Sequence, residues 1–332
     1  MDIPPELVEA KRAVEFGLLA LPGVNAVGLG MREENGELFD ELSVVIYVED
    51  MAQVPDGLPE RIGDVGVCIV ERSVEPCGFP DVARYRDVRG GIAIRKPHVG
   101  TGTLGAVVVD AQSLERLGLS CFHVTGNAHE AFPHSIWQPD NPPIAVGVSI
   151  VKDDNLGGVE RVDFPQTAPL PFSPILAGMS DAALIHLDVA AAVGRLPSPA
   201  IADQGPGQPN LVGAVTATAD LNAPAWLPHC IRKRGFATGP TNGLAYHRFL
   251  TVNWEPGGPN AFLIDQVAVL GDGVFCDQGD SGSLVLEETG PTAVGLLWGR
   301  NKQSAFAPAG KTGYFTEIRT VQAQLGFSTV WP

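Results

Sequence analysis

The chain has 332 residues, of which 45% are apolar, with 39 glycines, 28 prolines and a formal net charge of −16 at pH 7. That length accommodates a substantial core, while the acidic charge would repel a phosphate backbone and argues against nucleic-acid binding. No run of about 18 uninterrupted apolar residues marks a membrane span, so membrane binding is not expected either.

Glycine and proline are spread widely, which favours short strands and many turns, and a mainly β chain is expected. In chain order, residues 5 to 20 place Leu7, Ala10, Val14, Leu18 and Leu19 on one helical face before a Leu21-Pro22-Gly23 break. The runs NAVGLGMRE, ELSVVIYVED and VGVCIVERS then read as strands, so residues 1–87 are expected to form a small α+β module. From Val88 onward short apolar runs repeat: GGIAI, LGAVVVD, IAVGVSIV, DAALIHL, LVGAVTA, YHRFLTVNW, AFLIDQVAVL, GSLVLE and TAVGLLWG. Such runs, punctuated by turns, indicate a sandwich or barrel over residues 88–332. The chain closes on a predicted helix, with Thr316 as N-cap, Gly326 as stop, and Ile318, Val321 and Leu325 on one side.

Five cysteines, Cys68, Cys77, Cys121, Cys230 and Cys276, are an odd number without paired spacing. Neither a disulfide framework nor a cysteine metal site is expected, and a reducing cytoplasm suits them. The acidic N-terminus lacks the positive charge of an export signal. Residues 100–105, GTGTLG, fit a dinucleotide-binding spacing, but AVVVD follows at once where a helix would be required. His129, Glu130 and His134 are spaced one residue too far for a zinc-protease helix, and Pro133 interrupts the turn. No metal or cofactor is expected.

One constellation carries chemistry. Nucleophilic serine catalysis needs a hydroxyl, an imidazole, a carboxylate that orients it, and backbone donors for the oxyanion. GLSCFHVTG supplies His123, MSDAALIHL supplies Asp181 and QGDSGSLV supplies Ser281, in the order His, Asp, Ser and each beside an apolar strand. Gly279 and Gly282 allow a tight curl at the serine, which would aim the amides of Gly279 and Ser281 at an oxyanion.

With these blocks, residues 88–332 resemble a trypsin-like serine peptidase of the branch containing bacterial trypsin-like proteins and plant narrow-leaf-type proteases. RGGIAI, GTGTLGAVVVD, LSCFHV, SIWQP and IRKRGFATGPTNG carry the resemblance, and VGLGMRE and SVVIYVED resemble the module that precedes the peptidase in bacterial members. The resemblance implies a chymotrypsin-like double β-barrel, with the site in the cleft between the halves and a protein or peptide as substrate. It implies a substrate pocket around Phe275, Leu297, Trp298 and Gly299, shallow and apolar because no acid stands at 275. It also requires a partner for Asp280, either a local backbone or basic group or, less expectedly, a new N-terminus cut after Arg89. A regulatory intracellular endopeptidase is the expected activity. A non-catalytic scaffold on a protease fold and an esterase or amidase are the competing expectations, and a homo-oligomer is compatible with all three.

Overall fold

The computed structural model describes residues 3–34, 36–72, 74–75, 85, 87–96, 100–126, 135–138, 155–167, 176–187, 196–203, 210–223, 226–254, 261–303 and 308–332. The run IAVGVSIV, the cysteine Cys77 and the histidine pair around Pro133 lie outside them.

The chain is mainly β, as expected. Six strands close a barrel in the C-terminal half: His229–Gly235, Gly239–Asn253, Ala261–Gly271, Leu284–Glu287, Thr292–Asn301 and Thr312–Glu317. The first three pair in sequence, the third pairs with the sixth, the sixth with the fifth, the fifth with the fourth, and the fourth with the first. The interior is filled by Ile231, Ala245, Val267, Val269, Phe275, Val285, Val294, Leu297 and Phe315, supplied by alternate residues of the strands and by the loop before Ser281.

A second sheet in the N-terminal half of the same region contains Ile92–Lys96, Gly100–Leu104, Ala106–Asp110, Arg116–Ser120, Asn155–Asp163 and Ala182–Leu187. It curls back on itself, and Gly105 N at one end donates to Leu119 O on the strand Arg116–Ser120 (2.8 Å). GTGTLG is strand and turn followed by another strand, so nothing there opens a helix toward a pyrophosphate.

The strands Val24–Glu34, Glu37–Val48 and Val65–Glu71 do not form a sheet of their own. Val24–Glu34 pairs with the outer half of the barrel strand Gly239–Asn253, from Ala26 opposite Val252 to Gly30 opposite His247, and so extends the barrel sheet outward. Only glycine fits at position 30, because a Cβ there would enter the Tyr246 carbonyl and the His247 ring. Buried polar groups reinforce the junction. Arg72 donates through both terminal nitrogens to Glu33 (3.1 and 2.9 Å) and also to the Tyr246 hydroxyl. Tyr47 Oη donates to His247 Nδ1 (2.6 Å), leaving Nε2–H to donate to Met31 O (2.9 Å).

The helix Pro5–Leu19 forms where expected and buries Leu7, Leu18 and Leu19 of the expected face, with Ala10 packed against the same core, but the face is turned away from Val14. Val14 is exposed, whereas Lys11 and Glu15 are buried, paired with each other, and both bonded to Thr251 of the barrel. The terminal helix Ile318–Leu325 buries Ile318, Val321 and Leu325 and stops at Gly326 in the left-handed region (φ +69°). Its N-cap is Glu317 rather than Thr316, because the Thr316 hydroxyl is spent on Gln266 Oε1 of the neighbouring barrel strand (2.7 Å). Arg232-Lys233-Arg234, the dense basic run of the sequence, lies within a barrel strand with Lys233 and Arg234 buried.

Candidate active site

His123 lies in a one-turn helix, Phe122–Thr125, that follows the strand Arg116–Ser120 directly. Asp181 immediately precedes the strand Ala182–Leu187, which pairs with Arg116–Ser120 through Ser120 opposite Ala183. This register brings the acid beneath the base although they are far apart in sequence. Asp181 Oδ1 accepts from the His123 backbone N–H (3.0 Å), and Oδ2 contacts the imidazole Nδ1 directly. One carboxylate therefore fixes both the main chain and the ring of His123. Asp181 is buried, and its Oδ2 also accepts from the indole Nε1 of Trp254 (2.8 Å).

Cys121 Sγ lies within 4.8 Å of the donor atoms of His123 and Asp181. Burial and the Asp181 charge push its thiol well above the ordinary range, and it donates to Leu297 O (3.2 Å). It stays protonated, a poor state for metal ligation.

Ser281 sits in a turn made possible by Gly279 (φ +99°) and Gly282 (φ +94°). A Cβ on Gly282 would run into Thr103 O and the Ser120 hydroxyl of the opposite sheet, so the serine loop is pressed against the half that carries His123. Thr103 fastens it there: its N–H donates to Ser281 O (2.8 Å) and its hydroxyl to Gly279 O (2.7 Å). Among the described residues, the amides of Gly279 and Ser281 donate to no acceptor. Ser281 is only 1% exposed, and its hydroxyl donates to Trp298 O (3.0 Å), not to His123. The structure thus joins His123 to Asp181 directly and brings Ser281 to the same seam between the sheets, with its hydroxyl turned aside.

Asp280 has no need of a new N-terminus. Its carboxylate pairs with Lys233 Nζ (2.7 Å), both side chains fully buried, and accepts from Ala237 N (2.9 Å), Thr238 N (3.2 Å), Thr238 Oγ1 (2.6 Å) and Asp277 N (3.0 Å). The basic partner expected for it is the middle residue of IRKRG.

The substrate-pocket expectation needs correction at two positions. Phe275 and Leu297 are fully buried in the core of the closed barrel, and Phe275 packs against Gly243 and Gly313 where a side chain would leave no space. Both residues are 0% exposed. Trp298 is also buried, its indole donating to Gln266 Oε1 (2.9 Å), and Gly299 lies next to it on the strand. Beyond them, Arg300 and Asn301 pair antiparallel with Val74–Glu75, so the N-terminal region adds a strand next to the expected substrate edge. A cavity of about 210 Å³ opens elsewhere, between Glu33, Arg72, Leu270 and Lys311, and none of the three candidate catalytic residues lines it.

No protein-family profile matches the sequence, and no curated protein is similar to it. Among solved structures, the chain is similar to a chymotrypsin of Cellulomonas bogoriensis (15% identity, 74% of this chain and 100% of that one, TM-score 0.47). It is also similar to protease A of Thermobifida fusca (14%, 74% and 100%, TM-score 0.46). A third is a glutamic-acid-specific serine protease described as using a histidine triad in substrate binding (18%, 73% and 100%, TM-score 0.48).

Proposed function

We propose that the protein is a serine endopeptidase in which His123 is the general base, Asp181 its orienting acid and Ser281 the nucleophile. The observation that carries this reading is the double grip of Asp181 on His123, through backbone N–H and Nδ1, at the seam to which the Ser281 turn is fastened. A carboxylate on Nδ1 fixes the tautomer that leaves Nε2 free to accept a proton, and stabilises the imidazolium that results.

In the proposed reaction the Ser281 hydroxyl turns from the Trp298 carbonyl to His123 Nε2 and attacks the substrate carbonyl carbon. Its proton passes to His123 and then to the leaving amine, and water repeats the sequence on the acyl-enzyme. The free amides of Gly279 and Ser281 receive the oxyanion; losing one such donor typically costs about 100- to 1000-fold in turnover. The buried Lys233–Asp280 pair holds the loop without chain cleavage. Trp298 and Gly299 remain our assignment for the edge along which a peptide would lie. We also propose a place in the branch with the plant narrow-leaf-type proteases, from the sequence blocks quoted above, and a regulatory role in a reducing cytoplasm, which suits the odd number of cysteines without paired spacing.

The burial of Ser281 and the turn of its hydroxyl toward Trp298 O favour one competing reading, a binding protein that retains the fold without the activity. Reaction with a fluorophosphonate separates the two. The peptidase reading expects labelling of the unmodified protein and none of Ser281→Ala; an unlabelled native protein supports the scaffold.

A further inference from the structure

Asp181 belongs to the sheet that carries His123, but one of its hydrogen-bond donors comes from the other barrel. Trp254 ends the strand Gly239–Asn253, and its own N–H is tied to Ala261 O (2.7 Å), which anchors it at the start of the neighbouring strand. The side chain is buried. Its indole reaches across the seam to Asp181 Oδ2 (2.8 Å), the same oxygen that contacts His123 Nδ1. The ring also stacks 6.4 Å from Phe122, the residue preceding His123, and lies tilted 6.5 Å from Phe164.

We propose that Trp254 is a positioning residue for the His123–Asp181 pair, through which the C-terminal barrel sets the orientation of the acid on the opposite sheet. This rests on the serine-peptidase reading above. With three N–H donors in place, two from His123 and one from Trp254, the carboxylate plane has one orientation. Removing the indole donor frees Oδ2 to rotate away from Nδ1. The indole N–H only donates and does not titrate, so it holds the acid whether His123 is neutral or protonated. Among the described residues, the titratable groups that face Asp181 are His123, Cys121 and Asp163, and burial pushes the last two toward their protonated forms. The aromatic stack gives the same contact a second function: it aligns the helix Phe122–Thr125 with the C-terminal barrel.

The test compares the native protein with Trp254→Phe, which keeps an aromatic ring and loses the N–H. Fluorophosphonate labelling rate, ester turnover against pH and thermal melting are measured on the full chain. Loss of one charge-assisted hydrogen bond is expected to slow labelling and kcat about tenfold, with KM little changed. The acid limb of the kcat/KM profile moves to lower pH, because a carboxylate rotated away from Nδ1 stabilises the imidazolium less. Unchanged labelling and an unmoved acid limb in a folded Trp254→Phe protein overturn the proposal while leaving the peptidase reading intact. A native protein that does not label overturns that reading and this proposal with it. Should Trp254→Phe fail to fold, the indole N–H resonances of the native protein and of Asp181→Asn provide the second measurement. One slowly exchanging indole signal is expected to move between the two, and no movement in any of them overturns the proposal.

Discussion

At the scale of single residues, the sites under most constraint are buried charges and a buried histidine. Lys233 and Asp280 face each other with no solvent contact, and removing one partner of such a pair leaves the other charge uncompensated. Lys233→Met is expected to destabilise the protein by about 3 kcal/mol, at the lower end of the range for broken buried pairs because Asp280 keeps four other donors. Urea melts check the stability, and slower fluorophosphonate labelling of the folded variant checks the effect on the serine loop. His247 is pushed down to about 3 by burial, with Arg72 nearby opposing a second positive charge. An unfolded histidine protonates near pH 6.5, so between about pH 6.5 and 3 the unfolded state takes up a proton that the folded state refuses. Stability from this group is complete above that window and falls by about 1.4 kcal/mol per pH unit within it. His247→Gln, which keeps an acceptor toward Tyr47 and a donor toward Met31, is expected to flatten the slope of unfolding free energy against pH. An unchanged slope would assign the acid sensitivity to other groups.

At the scale of elements, the serine turn depends on two glycines and on the sheet it touches. Gly282→Ala places a methyl group into Thr103 O and Ser120 Oγ at a left-handed φ, so the turn must shift. A loss of about 1–3 kcal/mol is expected, together with slower labelling, and the two are read by melting and by label incorporation. Most strands were legible in the sequence because their apolar runs are continuous or alternate with period two. Those without that pattern were not. His229–Gly235 carries three consecutive basic residues, and its burial is made tolerable by partners distant in sequence, among them Asp280, the Asp203 carbonyl (2.7 Å) and the tyrosine at 85, which accepts from Arg234 (2.9 Å). Lys11 and Glu15 misdirected the helix face for the same reason: a charged pair buried against Thr251 follows no hydrophobic period.

At the scale of the whole molecule, the first strands and the C-terminal barrel share one sheet. A chain starting at Val88 would leave the outer half of Gly239–Asn253 as an open edge and would remove Tyr47, Glu33 and Arg72 from the buried network around Tyr246 and His247. Such a fragment is expected to be insoluble or to melt far below the full chain; a fragment as stable as the full chain would show that the junction contributes little. His123, Asp181 and Ser281 could be picked out because reaction chemistry requires those residue types and each lies next to a strand. The orientation of the Ser281 hydroxyl and the reach of Trp254 could not, since both depend on how two separately formed sheets meet. Phe275 and Leu297 failed as pocket residues for a related reason: position relative to the serine does not reveal which side of a barrel wall a side chain occupies.

The central claim is that a base oriented from one sheet activates a hydroxyl delivered by the other. Its most direct measurement is the rate of fluorophosphonate incorporation into the full chain, with peptide mapping of the labelled site, in the native protein, Ser281→Ala and His123→Ala. One label is expected, on Ser281, abolished by the first substitution and slowed by at least about a hundredfold by the second. Labelling at another residue, or labelling of Ser281 that survives loss of the imidazole undiminished, would contradict it.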